Sequence, residues 1–223
     1  MPRQIKRVKP LVYVFYEGES EQQYIDYLKN QFSDVAVIKR CAKKASTNLF
    51  EDTKSRFEKD KKYRDTAEAT DEIWFFFDAE LKDSSDEVWA DRLKIINYLR
   101  KLRKKPNIRV RLLMTSGCIE YWFMLHFKDC AHPTQTEADK NNLVKDVKKF
   151  ISIYKKGDKD SIWQIAPNYP TAVKYAKKRL QNISEIPCIE DTDERNQWLC
   201  KYCVTFSTVF EALDFLESLS SVA

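Results

Sequence analysis

The sequence EIWFFFDAE at residues 72–80 is a continuous run of branched and aromatic residues that stops at two carboxylates. A run of this kind is typical of a central strand in a parallel sheet, which is buried on both faces. A second run, LVYVFY at residues 11–16, has the same character and is closed by Glu17 and Gly18. The two runs predict two buried strands whose carboxyl ends carry acidic residues.

Helices are predicted between and after these strands by apolar residues at helical spacing. The first covers about residues 21–32 with Ser20 as its cap, and two more cover residues 49–63 and 86–105. Two further strands are predicted at residues 35–39 and 108–115. Strands that alternate with helices favour an α/β fold, here a mostly parallel four-stranded sheet with helices on both faces.

Beyond Phe127 the pattern changes, and helices follow one another without a long strand. They are predicted at about residues 143–154, 169–182 and 208–219. We therefore predict an α/β core over residues 1–130 and a C-terminal helical extension over residues 131–223 that packs on this core.

The composition fits a folded protein, with 43% hydrophobic and 33% charged residues. The chain has no apolar run of membrane-spanning length and a basic start without a signal-peptide pattern, so we expect a cytoplasmic protein with no membrane partner. Its six cysteines are expected to be reduced, and the isolated pair Cys200 and Cys203 to hold no zinc. The net charge of +5 does not identify a partner, and the oligomeric state stays open.

The carboxylates at the strand ends are the candidate site. Ligands of open parallel sheets bind outside the carboxyl ends of the strands, near the point where the strand order reverses. If the strands that end at Glu17 and Asp78 are neighbours, then Glu17, Asp78 and Glu80 converge there. A cluster of carboxylates favours a hard divalent cation, so we predict that these three residues bind Mg²⁺, for which Mn²⁺ can substitute. Such a metal supports cleavage of phosphodiester bonds.

Each of these carboxylates also has an ordinary explanation, because Asp and Glu are common in loops and in the first turn of helices. Glu19 and Glu21 are interpreted as charges that stabilise a helix start, and they are left outside the predicted site. The joint placement of Glu17, Asp78 and Glu80 is what favours a metal site over this alternative.

Four segments resemble a known family. The sequence EGESE at residues 17–21, followed by Tyr24, is similar to the opening of RloB-like proteins, which are relatives of the TOPRIM fold. The sequence FDAE at residues 77–80 stands where TOPRIM proteins carry an Asp-x-Asp pair. The most specific likeness is SGCIEYWFMLHF at residues 116–127, and FSTV at residues 206–209 resembles a short motif before a terminal helix.

The resemblance implies a TOPRIM-like fold and a role in bacterial antiphage defence or abortive infection, with an ATPase as partner protein. Two residues depart from the family pattern. Glu80 replaces the second Asp of the pair and lengthens that side chain by one methylene. Gly117 replaces a proline, which predicts a looser start of the following helix.

Other charged residues are weaker candidates. Glu120 has two open interpretations, a charge at a helix start or a further catalytic carboxylate beside the metal. Lys82 is a candidate for contacting the scissile phosphate, whereas His126 is expected to be a packed histidine that shares no metal with Glu120. Basic residues that are dense enough to follow a phosphate backbone are Arg100, Lys101, Arg103, Lys104, Lys105, Arg109 and Arg111. A second basic group, Lys174, Lys177, Lys178 and Arg179, is better explained as a solvated helix face.

Two functions from different classes remain. The first is a Mg²⁺-dependent nuclease that cleaves DNA or RNA as the effector of an antiphage system, with Glu17, Asp78, Glu80, Glu120 and Lys82 in its active site. The second is a non-catalytic regulatory or docking module for an ATPase or a nucleic acid, in which the carboxylates are structural.

Overall fold

The structure, a computed structural model, describes residues 8–80, 85–202 and 205–221. Its centre is a four-stranded sheet of β1 (Leu11–Tyr16), β2 (Val37–Ala42), β3 (Thr70–Ala79) and β4 (Arg109–Ser116). The strand order is β2-β1-β3-β4, and all neighbouring strands in it are parallel. The predicted α/β class and four-stranded parallel sheet are confirmed.

The helices are α1 (Glu19–Gln31), α2 (Leu49–Lys59), α3 (Lys61–Thr66), α4 (Asp86–Arg100), α5 (Glu120–Leu125), α6 (Glu137–Phe150), α7 (Lys159–Ile165), α8 (Tyr169–Gln181), α9 (Asp193–Tyr202) and α10 (Phe210–Ser220). Short 3₁₀ turns cover residues 67–69 and 166–168. In the described part of the chain, none of the helices has the length and apolar character needed to cross a membrane.

Both faces of the sheet are covered, as the uninterrupted apolar runs predict. On one face Phe75 of β3 stacks on Phe50 of α2, with ring centroids 4.2 Å apart. On the other face Phe76 meets Tyr24 of α1 edge-on at 6.3 Å. Adjacent residues of a strand point to opposite faces, so the aromatic run of β3 fills the core on both sides at once.

The strand order reverses between β1 and β3, which are neighbours. The chain leaves the carboxyl end of β1 toward β2 on one side and the carboxyl end of β3 toward β4 on the other. Tyr16 at the end of β1 is level with Phe76, and Asp78 is level with Thr115 of β4. The turn at Glu17 and Gly18 therefore lies beside Asp78, at the position where open α/β sheets bind ligands.

Several predicted boundaries shift for local reasons. The helix predicted over residues 49–63 is two helices, because Asp60 ends α2 and caps α3 by accepting a hydrogen bond from Lys62 N at 2.9 Å. Ser20 is not the cap of α1, which begins at Glu19. Its hydroxyl instead accepts a hydrogen bond from Gly157 N at 2.9 Å.

The last part of the chain returns to the sheet. Residues 206–208 run along the outer edge of β4, where Ser116 N donates to Phe206 O at 3.0 Å and Thr208 N donates to Met114 O at 2.8 Å. Helix α10 packs against β4 directly after this segment. The unpaired edge of β4 is thereby partly covered, which limits pairing with other strands.

The dense basic group that was a candidate for following phosphates has carboxylate partners within the protein. Its four arginines form ion pairs with acidic residues elsewhere in the chain: Arg100 with Asp193, Arg103 with Asp71, Arg109 with Asp191, and Arg111 with Glu72. Two of these partners belong to the acidic segment before and within α9. Arg100 and Arg109 join this segment to the core, whereas Arg103 and Arg111 pair with Asp71 and Glu72 of β3, and we assign none of the four to nucleic-acid binding.

Candidate metal centre at the carboxyl edge of the sheet

Asp78 lies between two cavities at the carboxyl edge of the sheet. The first, of about 270 Å³, is called the acidic cavity and is lined by residues 18–21, Asp78, residues 118–120, Lys156 and Gly157. The second, of about 260 Å³, is called the arginine cavity and is lined by Glu17, Lys43, residues 47–50, Phe77, Asp78 and Arg92. Asp78 itself is partly buried and contributes to both.

Four carboxylates line the acidic cavity: the exposed Glu19, and Glu21, Asp78 and Glu120, which are buried or partly buried. Glu21 is 4% exposed and Glu120 is 1% exposed. Burial is the first cause that raises the pKa of Glu21 to about 7; its own backbone N–H opposes this, and the charges of Glu120 and Glu17 add to it. Burial, followed by the charges of Glu21 and Glu120, raises the pKa of Asp78 well above its usual range. The cavity therefore concentrates negative charge that its own cations do not balance.

Glu120 is held in this cavity by the segment that connects α6 and α7. The hydroxyl of Tyr154 donates to Glu120 Oε1 at 2.7 Å, and Lys156 Nζ lies 3.6 Å from Glu120 Oε2. The amide of Gly157 meanwhile binds Ser20 in the first turn of α1. This segment thus forms one wall of the cavity and holds the Glu120 carboxylate in place there.

Two of the three glycines in the chain are required by close packing around the site. A Cβ atom on Gly18 would lie 2.3 Å from Glu21 Oε2, so glycine leaves the space that the Glu21 carboxylate occupies. Gly117 has φ +73°, and a Cβ atom there would lie 1.8 Å from Thr134 O. Its amide donates to Ala79 O at 2.9 Å. The predicted looser start of the helix is therefore wrong, since Gly117 packs tightly before α5.

The predicted trio of Glu17, Asp78 and Glu80 is not gathered at one point. Glu17 is exposed and lines the arginine cavity, although its charge still raises the pKa of Glu21. Glu80 follows β3 directly, and its Oε1 accepts a hydrogen bond from Lys140 Nζ at 2.6 Å. Among the described residues, no three His, Cys, Asp or Glu side chains stand so that they could hold a metal ion. Lys82 lies outside the described residues.

Other reactive groups near the site are not suited to catalysis. His126 is fully buried between Trp122 O at 2.9 Å and the Tyr24 hydroxyl at 3.3 Å, and burial lowers its pKa to about 4. The prediction of a packed histidine is confirmed. Burial and the neighbouring carboxylate of Glu120 raise the pKa of the Cys118 thiol, which is therefore protonated at neutral pH and a poor nucleophile. The Cys200 thiol donates to Met114 Sδ at 3.4 Å, and Cys203 lies outside the described residues.

Glu21, Lys140 and Lys156 were not among the site residues predicted from the sequence. No local signal separated Glu21 from an ordinary charge in the first turn of α1. A signal for Lys156 was the rare glycine beside it, since the chain has only three. No sequence pattern pointed to Lys140, which reaches Glu80 across 60 residues.

The donor set suits a hard divalent cation. Carboxylate oxygens are the ligands that Mg²⁺ and Mn²⁺ prefer, and a cation would relieve the repulsion that raises the pKa values of Glu21 and Asp78. Glu21, Asp78 and Glu120 are the residues that would hold it in the acidic cavity, although their side chains are not arranged as three ligands of one ion in this structure.

Fold and site together define an α/β protein with a parallel sheet and a buried carboxylate cluster where its strand order reverses. The family model described as RloB-like protein matches residues 12–209, which include all four segments that carry the resemblance. The chain therefore belongs to the RloB-like family. No curated protein and no solved structure matches it.

Proposed function

We propose that this protein is a Mg²⁺-dependent nuclease that cleaves phosphodiester bonds in DNA or RNA. The observation that carries the proposal is the acidic cavity, in which Glu21, Asp78 and Glu120 face one another with little compensating charge. Burying like charges together costs stability, and this arrangement is common where a metal ion is bound. Its position at the point where the strand order reverses supports a ligand site rather than a structural cluster.

The residues of the chain have distinct tasks in this proposal. Asp78 and Glu21 supply oxygen ligands from β3 and α1, and Tyr154 and Lys156 hold Glu120 in position beside them. Lys140 holds Glu80 at the rim of the site. A divalent cation bound there supplies a Lewis acid for a phosphoryl oxygen and lowers the pKa of a bound water. Lys82 remains a candidate for contacting the scissile phosphate.

The proposed biological role follows from the family rather than from the site. We propose that the nuclease is the effector of a bacterial antiphage system in the cytoplasm and that an ATPase partner protein regulates it. The TOPRIM relationship belongs to the same proposal. The parallel sheet with acidic residues at its carboxyl edge supports it.

A non-catalytic docking module is the second candidate, and specific contacts favour it. Lys140 pairs with Glu80 at 2.6 Å, and Lys156 lies 3.6 Å from Glu120. Lysines that already neutralise carboxylates are what a structural cluster requires. In that case the fold would serve to dock an ATPase or a nucleic acid without cleaving it.

A cleavage assay with a matched pair of variants tests the nuclease. The parent protein, Asp78→Asn and Asp71→Asn are incubated with total DNA and, separately, total RNA in Mn²⁺, Mg²⁺ or EDTA, and the new ends are sequenced. Asp71 lies at the opposite end of β3 and pairs with Arg103, so its variant controls for charge loss on the same strand. We expect Asp78→Asn to lose cleavage by about 100-fold or more, and Asp71→Asn to retain it.

Asp78→Asn should remain folded, because the change removes a charge that its neighbours repel. Equal cleavage by Asp78→Asn and the parent protein would show that the proposed centre is wrong. Absence of cleavage in every arm, with all proteins folded, would favour the docking module.

A further inference from the structure

The arginine cavity lies on the opposite side of Asp78 from the acidic cavity. Its volume is about 260 Å³, and it brings two cationic side chains, Lys43 and Arg92, to the same space as Glu17 and Asp78. Neither cation was among the functional residues predicted from the sequence. The start of α2, at residues 47–50, forms another wall. The cavity is thus built from β1, β2, β3, α2 and α4 or the residues that directly follow or precede them.

Arg92 is placed by aromatic packing. The residue is 7% exposed, and its guanidinium carbon lies 5.0 Å from the ring centroid of Phe50 and 5.3 Å from that of Phe77. Phe50 belongs to α2 and Phe77 to β3. Because Phe77 directly precedes Asp78, the guanidinium of Arg92 is held near the carboxyl end of β3. Aromatic faces stabilise a guanidinium while leaving its N–H groups directed along its plane.

Lys43 is placed by the backbone. Its amide donates to Tyr16 O at 3.0 Å, which extends the pairing of β1 and β2 to the residue before Glu17. Its ammonium donates to Thr47 O at 3.3 Å, on the wall formed by the start of α2. Lys43 is therefore fixed beside Glu17 and on the same cavity as Arg92.

Two cationic and two acidic side chains line the cavity, namely Lys43, Arg92, Glu17 and Asp78. A divalent cation bound by Asp78 would offset the charge of that carboxylate and make binding of an anion beside Lys43 and Arg92 more favourable. Arginine recognises phosphate through two parallel N–H groups, and a lysine ammonium adds a point charge. A phosphate group is the anion that this pair fits and that a nucleic acid supplies.

We propose that the arginine cavity is a phosphate-binding subsite in which Arg92 and Lys43 hold a backbone phosphate of the nucleic acid beside the metal-binding carboxylates. The proposal rests on the nuclease function proposed above and names how its substrate is positioned. Arg92 and Lys43 act on binding, and the carboxylates of the acidic cavity act on cleavage.

Binding of labelled oligonucleotides tests the subsite. Fluorescence anisotropy measures the affinity of the full chain for mixed-sequence single-stranded and duplex DNA and RNA in Ca²⁺, at several salt concentrations. The variants are Arg92→Met, which keeps an apolar stem against Phe50, and Lys43→Met. Matched controls are Lys94→Met on the exposed side of α4 and Lys44→Met beside Lys43, neither of which lines the cavity.

We expect Arg92→Met and Lys43→Met each to weaken binding about tenfold and to reduce the slope of log affinity against log salt by about one. The controls should change neither quantity. Equal affinity and slope for Lys43→Met and the parent protein would overturn the subsite, and this partly exposed residue decides the question if Arg92→Met does not fold. Absence of oligonucleotide binding by the parent protein would also overturn it. Binding that depends on Arg92 and Lys43, without cleavage in Mg²⁺, would reject the nuclease and keep the subsite.

Discussion

Two buried glutamates have the same pKa in opposite surroundings. Burial is the first cause that raises the pKa of both Glu21, in the acidic cavity, and Glu211, on α10, to about 7. The neighbours of Glu21 include the carboxylates of Glu120 and Glu17, which raise its pKa further. The largest charge effect on Glu211 comes from Arg195, which lowers its pKa, followed by the carboxylate of Asp191, which raises it.

The network around Glu211 is a structural one. The Arg195 side chain is 0% exposed and donates to Glu211 Oε1, to Asn196 Oδ1 and to Ile189 O. It thereby ties α9 and the segment before it to α10. A raised pKa alone does not identify a functional carboxylate; the sign of the neighbouring charges does. Glu211 has a buried arginine in contact, whereas the nearest charges to Glu21 are two carboxylates and the smaller opposing effect of Lys156.

The largest expected effect is the loss of stability when Arg195, the cation that pairs with Glu211, is removed. In Arg195→Met, Glu211 and Asp191 lose their buried partner, and we expect the free energy of unfolding to fall by about 3–5 kcal/mol. Urea unfolding at pH 7.5 measures it. The double variant Arg195→Met/Glu211→Gln should recover part of the loss, because the uncompensated charge is gone. A loss below about 1 kcal/mol in the single variant would show that the two regions do not differ as described.

Removal of a charge from the acidic cavity should instead raise the free energy of unfolding. A pKa raised from 4.5 to about 7 means that the folded chain binds more protons than the unfolded chain between these values. Stability is then highest below pH 4.5 and falls as the pH rises to about 7, by up to about 3 kcal/mol. In the absence of metal at pH 8, we therefore expect Glu21→Gln to raise the free energy of unfolding by about 2 kcal/mol.

Glu211→Gln is the matched control for this gain, because it neutralises the other glutamate with the same pKa. Its carboxylate accepts a hydrogen bond from Arg195, so this variant should gain less than Glu21→Gln or lose stability. Urea unfolding from pH 5 to 8 compares the two. If both variants gain equally, burial alone sets the pKa of Glu21 and repulsion within the cavity is negligible.

Much of the fold was predictable because the relevant information is local. The apolar runs at residues 11–16 and 72–77 are buried strands on both sides of the strand-order reversal, and Asp78 was placed correctly at its carboxyl edge. Helix boundaries were harder to predict where a polar residue could either cap the helix or form a hydrogen bond with a distant segment. Serine is a residue type that commonly caps helices, yet the Ser20 hydroxyl accepts a hydrogen bond from the amide of Gly157, which lies 137 residues further along the chain.

The missed parts of the site depend on tertiary contacts. Glu21 has a sufficient local explanation as a charge in the first turn of α1, and only the segment that carries Tyr154, Lys156 and Gly157 reveals its burial. The arginines at positions 100–111 were candidates for following phosphates, and their pairing was not foreseen because Asp191 and Asp193 are distant in sequence. Local patterns predicted where charges lie along the chain, and packing determined which of them remain for a ligand.

The smallest expected effect is stabilisation by Mg²⁺, which should depend on the acidic cavity and not on the network around Glu211. At a Mg²⁺ concentration about tenfold above its Kd, binding to the folded state should raise the free energy of unfolding by about 1.4 kcal/mol. The shift should be larger at pH 8 than at pH 6, because Glu21 loses its proton through about pH 7 and only the carboxylate is a good ligand. Thermal unfolding with MgCl₂ against NaCl of equal ionic strength measures it. Glu211→Gln should keep the shift, whereas Glu21→Gln and Asp78→Asn should lose it.

If the parent protein shows no shift, the acidic cavity is a structural cluster, as the docking module requires. If all variants show an equal shift, the ion is bound at another place in the protein.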